Sequence, residues 1–180
     1  MIAKEDAMPV IPASWMPNSS ATRIICHWTA GGYTAGGLAI SRYHILIQGD
    51  GSLKRGTHSI KDNDSTADGV YGKHTKGTNK NSIGVSMCCM AGANESPFNA
   101  GAAPMKKLQW DAMIDVVAQL CKRYDIACTP TTVLGHGEVE ANLGIDQEDK
   151  WDPMKLPFDA GKSKAQVGTL LRQQVSALLD

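Results

Sequence analysis

The run Ile24-Ile25-Cys26-His27-Trp28-Thr29-Ala30-Gly31 decides how this sequence is interpreted. A short apolar stretch bounded by turn residues is typical of a buried strand. We therefore predict a strand over residues 23–28, broken by Gly31, with His27 near its C-terminal end. Taken alone, a histidine in that place is more often a core residue than a ligand, so its meaning depends on what the rest of the chain offers.

Two further groups complete a candidate metal site. His136 follows the apolar stretch 132–135, which predicts another short strand, and a polar loop leads from there to Lys150-Trp151-Asp152-Pro153. Two histidines and one carboxylate can hold a zinc ion and leave its fourth position open, as catalytic zinc sites do. We predict His27, His136 and Asp152 as the zinc ligands.

Lys150 strengthens this interpretation. It lies two residues before Asp152, and side chains at i and i+2 of an extended segment share a face. The ammonium would then lie beside the metal and stabilise an oxyanion, an effect worth about 2.7–4 kcal/mol for one donor in other enzymes. Zinc lowers the pKa of bound water from about 15.7 to about 7, which supplies hydroxide at neutral pH. The pattern predicts metal-assisted amide hydrolysis with Lys150 as a catalytic residue.

Composition argues against several other classes of protein. The chain has 180 residues, and Lys+Arg and Asp+Glu number 18 each. This length fits one domain with a hydrophobic core. Nucleic-acid binding calls for clustered basic charge, so we predict no nucleic-acid partner. Five cysteines are an odd number and no Cys-x-x-Cys pair occurs, so we expect buried free thiols rather than a disulfide framework or a structural zinc site.

The start of the chain bears on where the protein is made. Residues 1–6 lack the charged start and apolar run of a signal peptide. No stretch approaches the length of a membrane span. We expect a protein that is made in the cytoplasm without a signal peptide and does not insert into a membrane.

The order of the predicted elements indicates a small α/β domain with helices packed on a mixed sheet. Residues 1–22 are predicted to form an irregular arm, and residues 23–180 a single domain. Asp50-Gly51 between two β-rich runs, 43–48 and 53–56, is a strong hairpin signal. We also predict a short helix over 34–42 capped by Thr34, a long loop over 57–80 and a strand over 82–90. Two longer helices are predicted over 106–124, with Leu108 facing inward, and over 163–179, with Leu178 facing inward. The chain over 137–162 is predicted to be mostly irregular.

Five motifs occur in an order that resembles a known family. They are His27-Trp28-Thr29-Ala30, Tyr43-His44 before the hairpin, the segment 74–85 (His-Thr-Lys-Gly-Thr-Asn-Lys-Asn-Ser-Ile-Gly-Val), Gly135-His136 and Lys150-x-Asp152-Pro153. The sequence resembles the zinc-dependent N-acetylmuramoyl-L-alanine amidases, which include small phage endolysins and the peptidoglycan recognition proteins. Each motif alone is weak, but five in the right order and spacing are specific. The resemblance covers residues 23–153.

This resemblance implies a mixed central sheet flanked by helices, with the zinc site at the floor of a groove. It implies the same three ligands, with Tyr43 and Lys150 assisting catalysis. The implied substrate is bacterial peptidoglycan or a soluble muropeptide, cut between N-acetylmuramic acid and the L-alanine of the stem peptide. We predict that His74 and Trp151 contact the substrate. The alternative is a proton relay for His74 and a core position for Trp151.

The sequence departs from the family pattern at the proton shuttle and the third ligand. Many bacterial members place a glutamate general base after the Ser-Ile-Gly-hydrophobic motif, where this chain has Ser86. Phage-type members lack that glutamate and rely on a tyrosine that matches Tyr43, but they often use a cysteine where this chain has Asp152. The chain therefore combines features of two branches. Tyr43 is the first candidate for the shuttle and His74 the next.

Three other functions fit parts of the sequence. His136-Gly137-Glu138 matches the His-x-Glu of zinc deaminases, but the Pro-Cys-x-x-Cys half of that site is missing. A cysteine hydrolase would use Cys26 or Cys89 with a histidine, but Cys26 and His27 are adjacent on a strand and point to opposite faces. A non-catalytic peptidoglycan-binding protein on the same fold is the main alternative. Such proteins often lose the third zinc ligand, which this chain has.

The resemblance also suggests a biological setting. A missing signal peptide fits a phage endolysin that reaches the cell wall and periplasm after holin-type or other release, and it fits cytoplasmic recycling equally well. No wall-binding repeat is present, so targeting would come from the groove itself. We expect a monomer that degrades the cell wall.

Overall fold

The computed structural model describes residues 9–180. Residues 1–8 of the predicted arm lie outside the described residues. One mixed sheet contains the strands β1 (Arg23–Trp28), β2 (Ile45–Ile47), β3 (Leu53–Arg55), β4 (Ser82–Met87) and β5 (Val133–Gly135). Their order across the sheet is β3-β2-β4-β1-β5. β1 runs parallel to β4 and β5, β2 runs parallel to β4, and only β3 is antiparallel to its neighbour.

The central strand β1 separates the core from the site. Successive side chains of a strand point to opposite faces of its sheet. Ile24 and Cys26 belong to the main hydrophobic core, whereas Ile25 packs with Leu134 in a second, smaller cluster. His27 therefore points to the same face as Ile25, away from the main core.

Two long helices cover the core face of the sheet. They are α2 (Lys107–Tyr124) and α4 (Lys164–Ser176), which pack against each other and against the strands. Two short helices, α1 (Gly37–Arg42) and α3 (Val139–Leu143), complete the helical content apart from short 3-10 turns of the described chain. Within residues 9–180, none of these helices has the length and apolar character needed to cross a membrane.

The described part of the arm packs on α2. Ile11 is buried, and its backbone N–H donates to Gln119 Oε1 at 2.9 Å. The amide nitrogen of Gln119 in turn donates to the Pro9 carbonyl at 2.8 Å. The Gln119 side chain thus holds both Pro9 and Ile11 against α2. The division into an arm over 1–22 and a catalytic domain over 23–180 stays a prediction.

The predicted fold class is confirmed, because the sheet is mixed and flanked by helices. β1 has the predicted bounds, and the other predicted strands and long helices are slightly shorter than expected. The 57–80 segment is a loop with one 3-10 turn at Ile60–Asp64. All five cysteines are free and four of them are buried, as expected.

The helix predicted over 34–42 with Thr34 as its cap is wrong at its start. α1 begins at Gly37, and Gly36 is its N-cap. The chain before it is held by the hairpin instead: Gly49 N–H donates to the Tyr33 carbonyl at 2.8 Å, and Tyr33 Oη donates to the Pro104 carbonyl at 2.9 Å. These contacts keep the residues around Thr34 out of a helix.

The segment 137–162 is mostly irregular, as expected, but it contains the helix α3, which ends at Gly144 with a positive φ of 69°, a common signal for a helix end. The expected positions of two leucines need correction. Leu108 and Leu178 were predicted to face inward but are 39% and 42% exposed. Leu108 lies in the first turn of α2, and Leu178 lies beyond the last residue of α4.

A mostly buried ion pair fixes β5 against α4. The Nη1 and Nη2 atoms of Arg172 donate to the Glu138 carboxylate, at 3.1 and 3.0 Å. The same carboxylate accepts a hydrogen bond from Gly135 N–H at 3.0 Å. Glu138 is therefore fully occupied by structural contacts, and the turn that carries His136 is anchored to the helix.

We predict that Gly168→Ala destabilises the protein although alanine is the better helix former. A Cβ at this α4 position would meet both carboxylate oxygens of Glu138. Helix propensity favours alanine by about 1 kcal/mol, but overpacking typically costs about 1–3 kcal/mol, and displacing the Glu138 carboxylate from Arg172 adds to that cost. Urea unfolding should show a net loss of about 1–3 kcal/mol.

Gly161→Ala is the matched control, because a Cβ there meets no atom within 4 Å and its φ lies outside the left-handed region. It should leave stability within about 0.5 kcal/mol of the native chain, as surface substitutions usually do. Equal stability of both variants would contradict the packing described for Glu138.

Candidate metal centre

Three chain segments meet at one edge of the sheet. His27 lies near the C-terminal end of β1, and His136 directly follows β5, its parallel neighbour. The third segment is fixed by Gly137, whose N–H donates to the Asp152 carbonyl at 2.7 Å. A Cβ on Gly137 would lie 2.9 Å from the Trp151 Cα, so only glycine allows this close approach. The contact brings Asp152 up to the two histidines.

The Asp152 carboxylate bridges both imidazoles. Its Oδ2 lies 3.0 Å from His27 Nδ1, and its Oδ1 lies 3.2 Å from His136 Nδ1. One donor atom from each of the three residues falls within 4.8 Å of the other two. The three residues are 0%, 8% and 8% exposed for His27, His136 and Asp152. The structure thus brings together all three predicted metal ligands, which could hold one metal ion.

The other nitrogen of His27 is held by the loop that follows residue 73. His27 Nε2 lies 3.3 Å from both His74 Nδ1 and Thr75 Oγ1. His74 Nε2 lies 3.3 Å from the Ser82 carbonyl oxygen, which can only accept, so that nitrogen carries the His74 proton. His74 Nδ1 is then an acceptor, which favours the tautomer of neutral His27 that donates to this loop through Nε2–H.

This arrangement leaves the Nδ1 lone pair of His27 facing the Asp152 carboxylate. Two acceptors at 3.0 Å repel each other unless a proton or a cation lies between them. Neutral imidazoles and a carboxylate are the oxygen and nitrogen ligands that zinc accepts. The donor set therefore fits a divalent cation.

The charge states of His27 and Asp152 agree with this fit. Burial lowers the pKa of His27 to about 4, although the nearby Asp152 carboxylate opposes this shift, so its imidazole is neutral at neutral pH. Burial also acts on His136, but Asp152 raises the pKa of His136 above the usual value, so a bound cation would have to displace a proton more readily held there than on His27. Burial opposes ionisation of Asp152, yet the two histidines hold its pKa well below the usual range. The Asp152 carboxylate is therefore charged and available as a metal ligand.

Tyr43 packs directly on this centre. Its ring centroid lies 4.9 Å from that of His27. Burial and the nearby Asp152 charge raise the pKa of the Tyr43 phenol above its usual value, and the neighbouring Ser86 hydroxyl opposes this. Ser86 Oγ is itself buried without a hydrogen-bond partner. At neutral pH the phenol is protonated and serves as a donor.

A cavity of about 450 Å³ is lined by two of the three candidate ligands, His136 and Asp152. Tyr43 and Lys150 both line it, which places the two predicted catalytic residues at the same opening. Trp151 also lines it while packing edge-on against Trp28, with ring centroids 4.7 Å apart. The other basic residues at this opening are Arg42, Lys73 and Lys76.

His74 also borders the cavity but is only 5% exposed. Both of its ring nitrogens have partners inside the protein. The predicted substrate contacts of His74 and Trp151 stay predictions. The sequence analysis did not identify two polar residues of the site, Thr75 and Gln147. Gln147 Oε1 lies 2.9 Å from His136 Nε2.

Two rival functions find little support in the arrangement. Glu138 of the His-x-Glu pattern is held by Arg172 instead of reaching the metal centre. Burial raises the pKa of the Cys26 and Cys89 thiols, which disfavours the thiolate that a cysteine nucleophile requires. Both thiols also lie in the main core, away from the histidine face.

Comparison with known families agrees with the site. A family model described as N-acetylmuramoyl-L-alanine amidase matches residues 17–155. This match confirms the resemblance inferred from the five motifs. None of the curated proteins compared with the chain matches it.

Several solved structures are similar to this chain at low sequence identity. The Drosophila peptidoglycan recognition protein SD is 19% identical with a TM-score of 0.50, covering 92% of this chain and 93% of that chain. A mutant form of PlyL is 15% identical with a TM-score of 0.50, covering 88% and 87%. The Ph2119 endolysin from the Thermus scotoductus MAT2119 bacteriophage Ph2119 is 16% identical with a TM-score of 0.49, covering 89% and 88%.

We predict that Asp152→Asn abolishes tight zinc binding, because it removes the only negative charge that contacts both histidines. The loss of affinity should exceed the roughly 10–100-fold typical of residues that only support a ligand. Titration against a chromogenic chelator measures it.

Asp149→Asn makes the same chemical change at an exposed position. Asp149 has a φ of 58°, which asparagine also tolerates, so this variant should bind zinc like the native chain. Native affinity in Asp152→Asn would rule out the carboxylate as a ligand.

Proposed function

Because this chain belongs to the N-acetylmuramoyl-L-alanine amidase family, we propose that it hydrolyses the amide bond between N-acetylmuramic acid and L-alanine in bacterial peptidoglycan, using a zinc ion held by His27, His136 and Asp152. The observation that carries this proposal is the meeting of three buried donors, two of which line a cavity together with a lysine and a tyrosine. A non-catalytic peptidoglycan-binding protein would not need these groups to lie together.

The three side chains suit zinc in particular. Catalytic zinc sites use three protein ligands of the histidine and carboxylate type. When bound, zinc acts as a Lewis acid, which polarises a carbonyl and lowers the pKa of water to about 7. The two imidazoles are neutral ligands and Asp152 supplies one negative charge, so the loaded site would keep a net positive charge.

Lys150 and Tyr43 supply the remaining polar groups of the reaction. The Lys150 ammonium lines the cavity and would stabilise negative charge that develops on the carbonyl oxygen. The protonated phenol of Tyr43 would donate a hydrogen bond to that oxygen or to the attacking water. Since its pKa is raised, Tyr43 would act as a base only if the nearby cation lowered that pKa again.

The leaving group is the amine of L-alanine, which needs a proton as the bond breaks. Tyr43 is the first candidate to deliver it, because its hydroxyl is protonated and lies beside the metal centre. His74 is less suited, because its nitrogens are engaged by Thr75 and Ser82. Its buried ring would act on the reaction by holding His27, and Trp151 would contact the substrate at the rim.

One chain provides the whole candidate site, so we propose that it acts as a monomer. The basic residues at the cavity mouth and the absence of a spanning helix in residues 9–180 suit a protein that works on an anionic wall polymer. We propose that it reaches the cell wall and periplasm after holin-type or other release, as an endolysin does.

Digestion of purified sacculi and of soluble muropeptide tests the proposed function. Mass spectrometry should detect stem peptides with a free L-alanine amine and glycan with a free lactyl carboxyl group. Adding a chelator should stop the reaction, and adding zinc back should restore it. Binding to sacculi without any of these products would favour the non-catalytic alternative.

We predict that Tyr43→Phe binds zinc normally but lowers kcat by about 100-fold, the lower range for a lost acid–base group. Tyr71→Phe is the matched control, because Tyr71 lies outside the cavity lining. Turnover on muropeptide and zinc affinity should be measured for both. A native kcat in Tyr43→Phe would exclude the phenol as the proton shuttle.

A further inference from the structure

Gln147 is a buried polar side chain, 4% exposed, in the loop that leads to Lys150 and Asp152. Its Nε2 lies 2.9 Å from the Lys76 carbonyl oxygen and 3.3 Å from the Ile145 carbonyl oxygen. Both carbonyls can only accept hydrogen bonds, so the NH₂ group of the amide must face them. The orientation of the amide is therefore fixed by its surroundings.

The fixed amide determines which nitrogen of His136 carries the proton. Gln147 Oε1 lies 2.9 Å from His136 Nε2, and this oxygen can only accept. Neutral His136 must therefore be protonated on Nε2, which leaves the lone pair on Nδ1. That nitrogen faces the Asp152 carboxylate at 3.2 Å, on the side where the other candidate ligands meet.

We propose that Gln147 is a positioning residue that holds His136 in the Nε2–H tautomer, so that Nδ1 is available as a ligand. This proposal rests on the metal site of the proposed function. Residues that orient a metal-bound histidine in this way typically change metal affinity by about 10–100-fold.

The same amide joins the two loops that border the cavity. Lys76 follows His74 and Thr75, which hold His27, whereas Gln147 contacts His136. The bond from Gln147 to the Lys76 carbonyl therefore connects the supports of both histidines. A second contact between these loops, the Lys76–Glu148 ion pair at 3.1 Å, is exposed and contributes little.

Gln147→Leu tests the proposal, because it keeps a similar size and removes both halves of the amide. Zinc affinity should fall by about 10–100-fold, measured by competition with a chromogenic chelator. Nitrogen-15 NMR of the histidines should show Nε2–H as the main neutral form of His136 in the native chain and a mixture of tautomers in the variant. Gln173→Leu, at an exposed position of α4, should change neither measurement.

Gln147→Glu distinguishes an effect on the His136 tautomer from an effect on the packing of the loop. Its carboxylate keeps an acceptor for His136 Nε2–H but loses the donors to the two carbonyls. It should retain the Nε2–H tautomer and lose less zinc affinity than Gln147→Leu. Equal losses in the two variants, or an unchanged tautomer in Gln147→Leu, would overturn the proposal.

The tautomer measurement is also made on zinc-free protein at a pH where the imidazoles are neutral. If the native chain fails to bind zinc, the proposed metal site fails. The NMR result still decides whether Gln147 sets the tautomer of His136.

Discussion

The Asp152 carboxylate, held between two imidazoles, is the interaction on which the site depends. A buried charge is costly unless it is paired or binds a metal ion. Asp152 is almost completely buried and contacts Nδ1 of both His27 and His136. Three segments that are distant in sequence must therefore converge on one point. The sheet, with β1 and β5 as parallel neighbours, provides that precision.

Around this centre, the fold limits the freedom of each ligand. The outward nitrogen of His27 meets the His74–Thr75 loop, and that of His136 meets Gln147. The Glu138–Arg172 pair anchors the turn after β5 to α4. Together these contacts leave both Nδ1 atoms directed at one point. A preorganised site of this kind needs little rearrangement when a cation binds.

The elements with strong periodicity or a strong turn signal could be predicted from the sequence. The apolar run of β1, the Asp50-Gly51 hairpin and the amphipathic α2 are clear examples. The order of five motifs was enough to identify the family, and it named the three residues that the structure brings together. The start of α1 could not be predicted, because contacts from the distant hairpin decide it. Gln147 carries no local signal either, since its role depends on a carbonyl in another loop.

The coordination of a bound zinc ion tests the central claim most directly. X-ray absorption spectroscopy at the zinc edge, on protein loaded with one equivalent of zinc, should show two imidazole nitrogens at roughly 2.0–2.1 Å and at least one oxygen at roughly 2.0–2.2 Å. No sulfur scatterer should be present, although five free cysteines are available. A zinc–sulfur distance near about 2.3 Å, or fewer than two imidazoles, would contradict the site built on His27, His136 and Asp152.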